Sequence, residues 1–200
     1  MCKALQDRHG LGEGISDEDN IRYYFHTELM ARKVSAHSVT LECSCLQGHP
    51  MRGIDMRVKL ANKKAWLEFK FHRRLPGGTL AKTEKLGNII ADFLRLAYLP
   101  RGDQKYCCYI VDSAMFKYLN NGGYKDLICN KPFTVYRKKG EFYLGSTKLS
   151  PFTKKIIRKG TWKMPLDIRA TAHPVPLEGL KAPGKNNNFP YQVFFYRIEK

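Results

Sequence analysis

Apolar and polar residues alternate from Gly53 to Leu60, with Ile54, Met56, Val58 and Leu60 in one register. They alternate again from Ala65 to His72, where Leu67, Phe69 and Phe71 oppose Glu68, Lys70 and His72. A period of two predicts half-buried strands. Between the two runs lies Ala61-Asn62-Lys63-Lys64, a connection of hairpin length with Asn supplying turn chemistry. A further strand-like run, Ser38 to Leu46, precedes them, and the short connections predict an antiparallel meander. Upstream, Ser16-Asp17-Glu18-Asp19 combines a capping residue with carboxylates suited to the positive end of a helix dipole, predicting a helix from about Glu18 to Lys33. Downstream, Leu86, Ile89, Ile90, Phe93, Leu94 and Ala97 recur at intervals of three and four. This spacing predicts an amphipathic helix from Lys82 to Leu99, stopped by Pro100 and Gly102. Lys105 to Val111 is a short, nearly all-apolar run of the kind that becomes a strand covered on both faces, and Ser113 to Asn120 reads as a helix before Gly122-Gly123.

The expected order is therefore α-β-β-β-α-β-α. Beyond it, Phe133 to Tyr136 and Glu141 to Leu144 flank a Lys-Lys-Gly turn and predict a hairpin, and Gln192 to Ile198 predicts a closing strand. The Pro-rich stretch from Pro165 to Pro190 reads as irregular. The fold class expected is α/β (α+β): a mixed sheet flanked by helices in one domain of residues 1–200. Its core spans 16–120, and a basic, β-rich C-terminal extension spans 131–200.

Charge narrows the partners. The chain has 35 Lys and Arg against 18 Asp and Glu, a formal net charge of +17, which favours a polyanion. From Lys131 to Lys163 there are ten basic residues against one acid, Glu141; within them Lys138, Lys139, Lys154, Lys155, Arg158 and Lys159 are candidate phosphate contacts. Tyr136, Phe142, Tyr143, Phe152 and Trp162 are interleaved there, and most are expected to fill a small core. No apolar run approaches the roughly 18 residues of a spanning helix, and the first residues have no apolar core, so a soluble, cytoplasmic protein with no membrane partner is expected. The six cysteines are spaced C-x-C and C-C, not as paired C-x-x-C knuckles, which argues against zinc.

The chemistry concentrates on Asp55, Glu68 and Lys70. Asp55 lies one strand away from Glu68, within side-chain reach in a suitable hairpin register, and the two carboxylates with the carbonyl of Phe69 would make an oxygen nest of the kind Mg2+ prefers. Lys70, two residues from Glu68, could orient an attacking water or neutralise a phosphate; acting as a proton acceptor would require a lowered pKa. Arg73 and Arg74 follow the strand and are placed to hold a phosphate. His72 continues the polar face and is expected at the surface. Asp103-Gln104-Lys105 repeats the acid-x-Lys spacing at a loop-strand boundary, without the hairpin and acidic strand that surround Glu68.

With Asp55 on the second strand, Glu68-Phe69-Lys70 on the third and an amphipathic helix after them, the stretch from about Glu18 to Val111 resembles the PD-(D/E)XK, or restriction-endonuclease-like, nuclease superfamily. The residue before Asp55 is Ile54, where the pattern has proline. The resemblance implies that Asp55 and Glu68 bind Mg2+, with Mn2+ able to substitute, and that Lys70 serves the attacking water. It also implies that Glu28, on the first helix, completes the metal shell, directly or through water. It assigns no catalytic role to Lys82, Lys85, Asp92 or Arg95. The activity it implies is metal-dependent endonucleolytic hydrolysis of DNA, of restriction or phage-defence type, with a homodimer where both strands are cut. A structure-specific nuclease of resolvase or repair type, and an idle DNA-binding protein on the same fold, are the alternatives.

Overall fold

Residues 17–43, 53–72, 82–129, 131–161, 167–176 and 191–200 are described by a computed structural model. The first helix, α1 (Glu18–Ala31), starts where Asp17 accepts a hydrogen bond from the Asn20 backbone N–H at 2.9 Å, so the capping residue anticipated from the sequence closes the helix entry. The meander follows as β1 (Val39–Cys43), β2 (Ile54–Leu60) and β3 (Lys63–His72). Its hairpin turn is tighter than expected, because Lys63 and Lys64 already belong to β3 and Ala61 takes a positive φ of 42°. Then come α2 (Lys82–Tyr98), β4 (Gln104–Asp112), α3 (Ser113–Asn121), β5 (Phe133–Lys138), β6 (Glu141–Leu144), β7 (Thr147–Lys148), α4 (Pro151–Thr161), β8 (Arg169–Pro174) and β9 (Tyr191–Glu199).

Among the described residues the protein is a mixed α/β structure in which nine strands form one sheet, ordered β1-β2-β3-β4-β9-β8-β5-β6-β7, with four α-helices against it. β3 and β4 run parallel, joined by the α2 crossover, and every other neighbouring pair is antiparallel. The C-terminal strand β9 inserts beside β4, so the basic half of the chain extends the same sheet. Two expectations fail here. The stretch from Pro165 to Pro190 is not irregular throughout, since Arg169–Pro174 is a strand whose buried residues, Ala170 and Ala172, are too small to register as an apolar run. The helix α4 has no counterpart in the sequence reading, because it buries only Thr153, Ile157 and Thr161 fully among basic residues.

Two apolar clusters lie on opposite faces of the sheet. Ile21 of α1 covers Met56, Val58, Ala65, Leu67, Phe69, Phe71, Cys108 and Ile110. The α2 side gathers Leu86, Ile90, Phe93, Leu94, Cys107, Val135, Phe142 and Ile157. Ile54 packs with this second cluster, away from Met56 and Val58, near Glu42, whose φ of 47° kinks the paired strand. α2 lies between the sheet and α4, so its residues from Ile89 to Ala97 are all buried, Asp92 and Arg95 included.

The contact between α2 and α4 depends on Gly87. A Cβ there would stand 2.7 Å from Ile156 Cβ and 2.8 Å from its Cγ2, atoms close to the α4 backbone that cannot swing away. A mid-helix Gly→Ala change ordinarily gains about 1 kcal/mol, but overpacking costs about 1–3 kcal/mol. Gly87→Ala is therefore expected to lower the urea midpoint, and to cost less when made in an Ile156→Gly background, which removes both contacting atoms. Equal costs in the two backgrounds would show that the contact does not govern the effect.

Candidate active site

β2 and β3 stay paired through Met56 and Leu67. One step further, at Asp55 and Glu68, side chains replace the backbone ladder. The Asp55 N–H donates to Glu68 Oε2 at 3.3 Å, and the Phe69 N–H donates to Asp55 Oδ2 at 2.7 Å. The next inward-facing amide of that edge, Phe71 N–H, donates to Glu18 Oε1 at 3.3 Å. The two carboxylates thus cap the β3 edge where β2 leaves it. In a strand, the N–H and C=O of one residue face the same neighbour, so the Phe69 carbonyl is directed to the same side as Asp55.

Lys70 occupies the middle of this fork. Its Nζ lies 3.2 Å from Glu18 Oε2, 3.6 Å from Asp92 Oδ2 and 4.0 Å from Glu68 Oε1. Arg95 holds Glu68 Oε1 at 2.5 Å and also pairs with Asp92 Oδ1. Arg22 closes the rim, 3.7 Å from Asp55, 3.1 Å from Glu42 and paired with Asp19. Glu68, Asp92 and Arg95 are almost fully buried, whereas the side chains of Asp55 and Lys70 each keep 16% of their surface, which leaves them open to a ligand.

Around Lys70 four carboxylates (Glu18, Asp55, Glu68, Asp92) face three cations (Lys70, Arg95, Arg22), one formal negative charge in excess. Burial pushes Glu68 well above the ordinary carboxylate range, and Asp92 adds to the rise. Burial raises Asp55 too, only partly offset by Lys70, the Phe69 N–H and Arg22. For Lys70, burial pulls the ammonium down, but Asp92, Glu18, Glu68 and Asp55 together outweigh it and hold the group above the usual lysine range. Lys70 is therefore a fixed cation at neutral pH. Asp92 Oδ2 is buried without a hydrogen-bond partner, with Lys70 Nζ 3.6 Å away.

Of the residues singled out from the sequence, Asp55, Glu68 and Lys70 come together. Glu28 does not join them: it lies ten residues along α1 from Glu18, about 15 Å of helix, and pairs with Arg32 at 3.5 Å. The first helix reaches the fork through Glu18 instead, because its N-terminus is the end aimed at β3. Asp92 and Arg95, given no catalytic role above, lie directly against Glu68 and Lys70. Their signal in the sequence is a charged pair at i, i+3 amid Ile89, Ile90, Phe93, Leu94 and Leu96. His72 is buried, not at the surface. Its Nδ1 lies 3.1 Å from the Tyr109 hydroxyl, and burial, then Lys85 and Lys70, keep the imidazole well below its ordinary pKa and hence neutral. The second acid-x-Lys triplet is structural: Asp103 accepts from Trp66 Nε1 at 2.8 Å, and Lys105 donates to the Leu99 carbonyl at 2.9 Å, beyond the C-terminus of α2.

Arg73 and Arg74 lie outside the described residues. The other candidate phosphate contacts gather at one corner. Lys138 and Lys139 sit on the β5-β6 hairpin, Arg158 of α4 donates to the Gly140 carbonyl at 3.2 Å, and Lys154 holds Glu141 at 2.5 Å. An open depression lined by Pro151, Lys154, Lys155, Arg158 and Lys159 runs along α4. From β3 to β5 is four strand spacings, about 19 Å, so this corner stands apart from the fork.

Among the described residues no group of three or more His, Cys, Asp and Glu side chains is arranged to hold a metal ion, and Cys107 and Cys129 are free thiols. Mg2+, however, is commonly held by one or two carboxylates together with waters and substrate phosphate. Asp55, Glu68 and a main-chain carbonyl in a pocket with excess negative charge suit that mode of binding. No described helix is long and apolar enough to cross a membrane. No protein-family model, curated protein or solved structure matches the chain.

Proposed function

We propose that the protein is a metal-dependent nuclease that hydrolyses DNA phosphodiester bonds on a PD-(D/E)XK-like core, of restriction or phage-defence type. The observation that carries this reading is the fork itself: two carboxylates raised by burial and a permanently charged lysine, meeting where one strand leaves the sheet of a strongly basic protein. Asp55 and Glu68 would hold Mg2+. Bound there, the ion would make a water more acidic and offset charge on the phosphate. Lys70, as a fixed ammonium, would orient that water and face the non-bridging phosphate oxygens, with no part as proton acceptor. Arg95 anchors Glu68, and Glu18 and Asp92 anchor Lys70, so both groups are preorganised from buried or half-buried positions. Double-strand cleavage would call for two copies of the chain, one fork per strand.

Purified protein incubated with supercoiled plasmid, branched DNA and single strands is expected to cleave in Mg2+ or Mn2+ and not in EDTA, and Asp55→Asn is expected to lose this activity. Preference for branched substrates would place it with structure-specific nucleases. Salt-sensitive binding with no cleavage of any substrate would leave a DNA-binding protein on an idle fold and overturn the enzymatic reading.

A further inference from the structure

On the sheet face opposite α2 and α4, four side chains form one row across four strands. Arg169 of β8 pairs in register with Tyr136 of β5, Tyr136 with Tyr143 of β6, and Tyr143 with Lys148 of β7. The alternation of β5 and β6 puts Phe133, Val135, Phe142 and Leu144 into the core and sends Tyr136 and Tyr143 outward. The tyrosine rings are stacked, 5.0 Å apart and 9° from parallel, and the Arg169 guanidinium lies 5.5 Å from the Tyr136 centroid. Among the described residues α1 packs against β3, toward the other end of the sheet, and no helix packs on this row.

We infer that this row is a second DNA contact, gripping the phosphates of a strand beyond the cleavage site. The inference rests on the proposal that DNA is the partner, and goes beyond it by naming a surface separate from the fork and from the α4 corner. Tyr136 has Tyr143 on one side and Arg169 against it, so the row offers the edges of its rings more readily than their faces. Edges present hydroxyl donors, and neither hydroxyl has a hydrogen-bond partner among the described residues, which suits phosphate oxygens better than bases. Charge agrees. Arg169 has no acidic partner among the described residues, and Lys148 approaches Glu141 only to 3.8 Å while Lys154 holds that carboxylate at 2.5 Å. Stacking alone would account for the two tyrosines, but it does not call for a cation at each end of the row. Three strand spacings make the row about 14 Å long, roughly four nucleotides of one strand. Because Glu68 and Lys70 face the other side of the sheet, the row would act on binding and leave the cleavage step alone.

The test is fluorescence anisotropy of labelled DNA in EDTA over a salt series, with wild type, Arg169→Ala/Lys148→Ala and Tyr136→Phe/Tyr143→Phe, followed by single-turnover cleavage at saturating protein. Removing both cations should weaken binding about tenfold and reduce the salt slope by roughly 1.4 to 1.8. The phenylalanine pair keeps the stack and should weaken binding about threefold without a change in melting temperature. Single-turnover rates should match wild type. Wild-type affinity and slope in both variants would overturn the row while leaving the nuclease reading intact. Weakened binding by a protein that never cleaves would support the row although the enzymatic reading had failed, and a wild type that binds no DNA would overturn both.

Discussion

Lys70→Met is expected to lower single-turnover cleavage by at least about 10^3-fold, close to 4 kcal/mol of transition-state stabilisation, while DNA binding stays within about twofold. Lys70 carries its charge inside a ring formed by Glu18, Asp92 and Glu68 at 3.2–4.0 Å, and that ring holds the ammonium protonated. A charge prepaid in this way costs no reorganisation when negative charge develops on the phosphate. Methionine keeps an unbranched apolar stem, one atom shorter than that of lysine, and removes the ammonium, so the rate reads the charge far more than the packing. Lys70→Arg should restore part of the rate, less than a tenth of wild type, because the planar fork of guanidinium does not fit a pocket built around a compact ammonium. A methionine variant that cleaves within tenfold of wild type would remove Lys70 from the chemistry.

The sheet order could be read in part before the structure, because period-two alternation marked β2 and β3 and the near-continuous apolar run marked β4 as a strand covered on both faces. The fork was half legible. Asp55 and Glu68 were linked by hairpin geometry, which follows from chain spacing alone. Glu18 was not, since its position in the first turn of α1 is equally well explained by the helix dipole, and only the docking angle of that helix brings it to Lys70. Glu28 rests on the resemblance alone, since nothing in the sequence tells which end of α1 meets β3. Asp92 and Arg95 carry no catalytic role in the sequence reading, and a charged pair on an amphipathic helix normally faces water. Here the pair faces β3, where Arg95 meets Glu68 and Asp92 meets Lys70, and only the packing of α2 on the sheet decides that. The stacked tyrosines were visible as residues, but their facing required the register of β5, β6 and β8.

Glu68→Gln should abolish cleavage and also raise the stability of the metal-free protein. Burial, then Asp92, hold the Glu68 carboxyl well above its ordinary value of 4.5, and Arg95 draws it back only in part. An acid with a raised folded-state pKa contributes its stability below the unfolded value and loses it as pH climbs through the folded one. Once pH passes that raised value the wild-type protein holds a buried anion beside Asp92 and Asp55, whereas glutamine has the shape of the protonated acid at every pH. In EDTA the variant should melt about 2–4 °C higher at pH 8, equivalent to about 1 kcal/mol for a chain of this size. The gap should close on approaching pH 4, where Glu68 is protonated in both folded and unfolded chains. Mg2+ should reverse the order: at ten times its dissociation constant it would add about 1.4 kcal/mol to wild type and little to the variant, which lacks a ligand. Thermal scans at pH 4, 6 and 8, with EDTA and with Mg2+, measure all of this. A glutamine variant that melts lower than wild type at pH 8 in EDTA would mean that the Arg95 pair outweighs the cost of burial, and the fork would then be a stable structural ion-pair cluster instead of a site held ready for a cation.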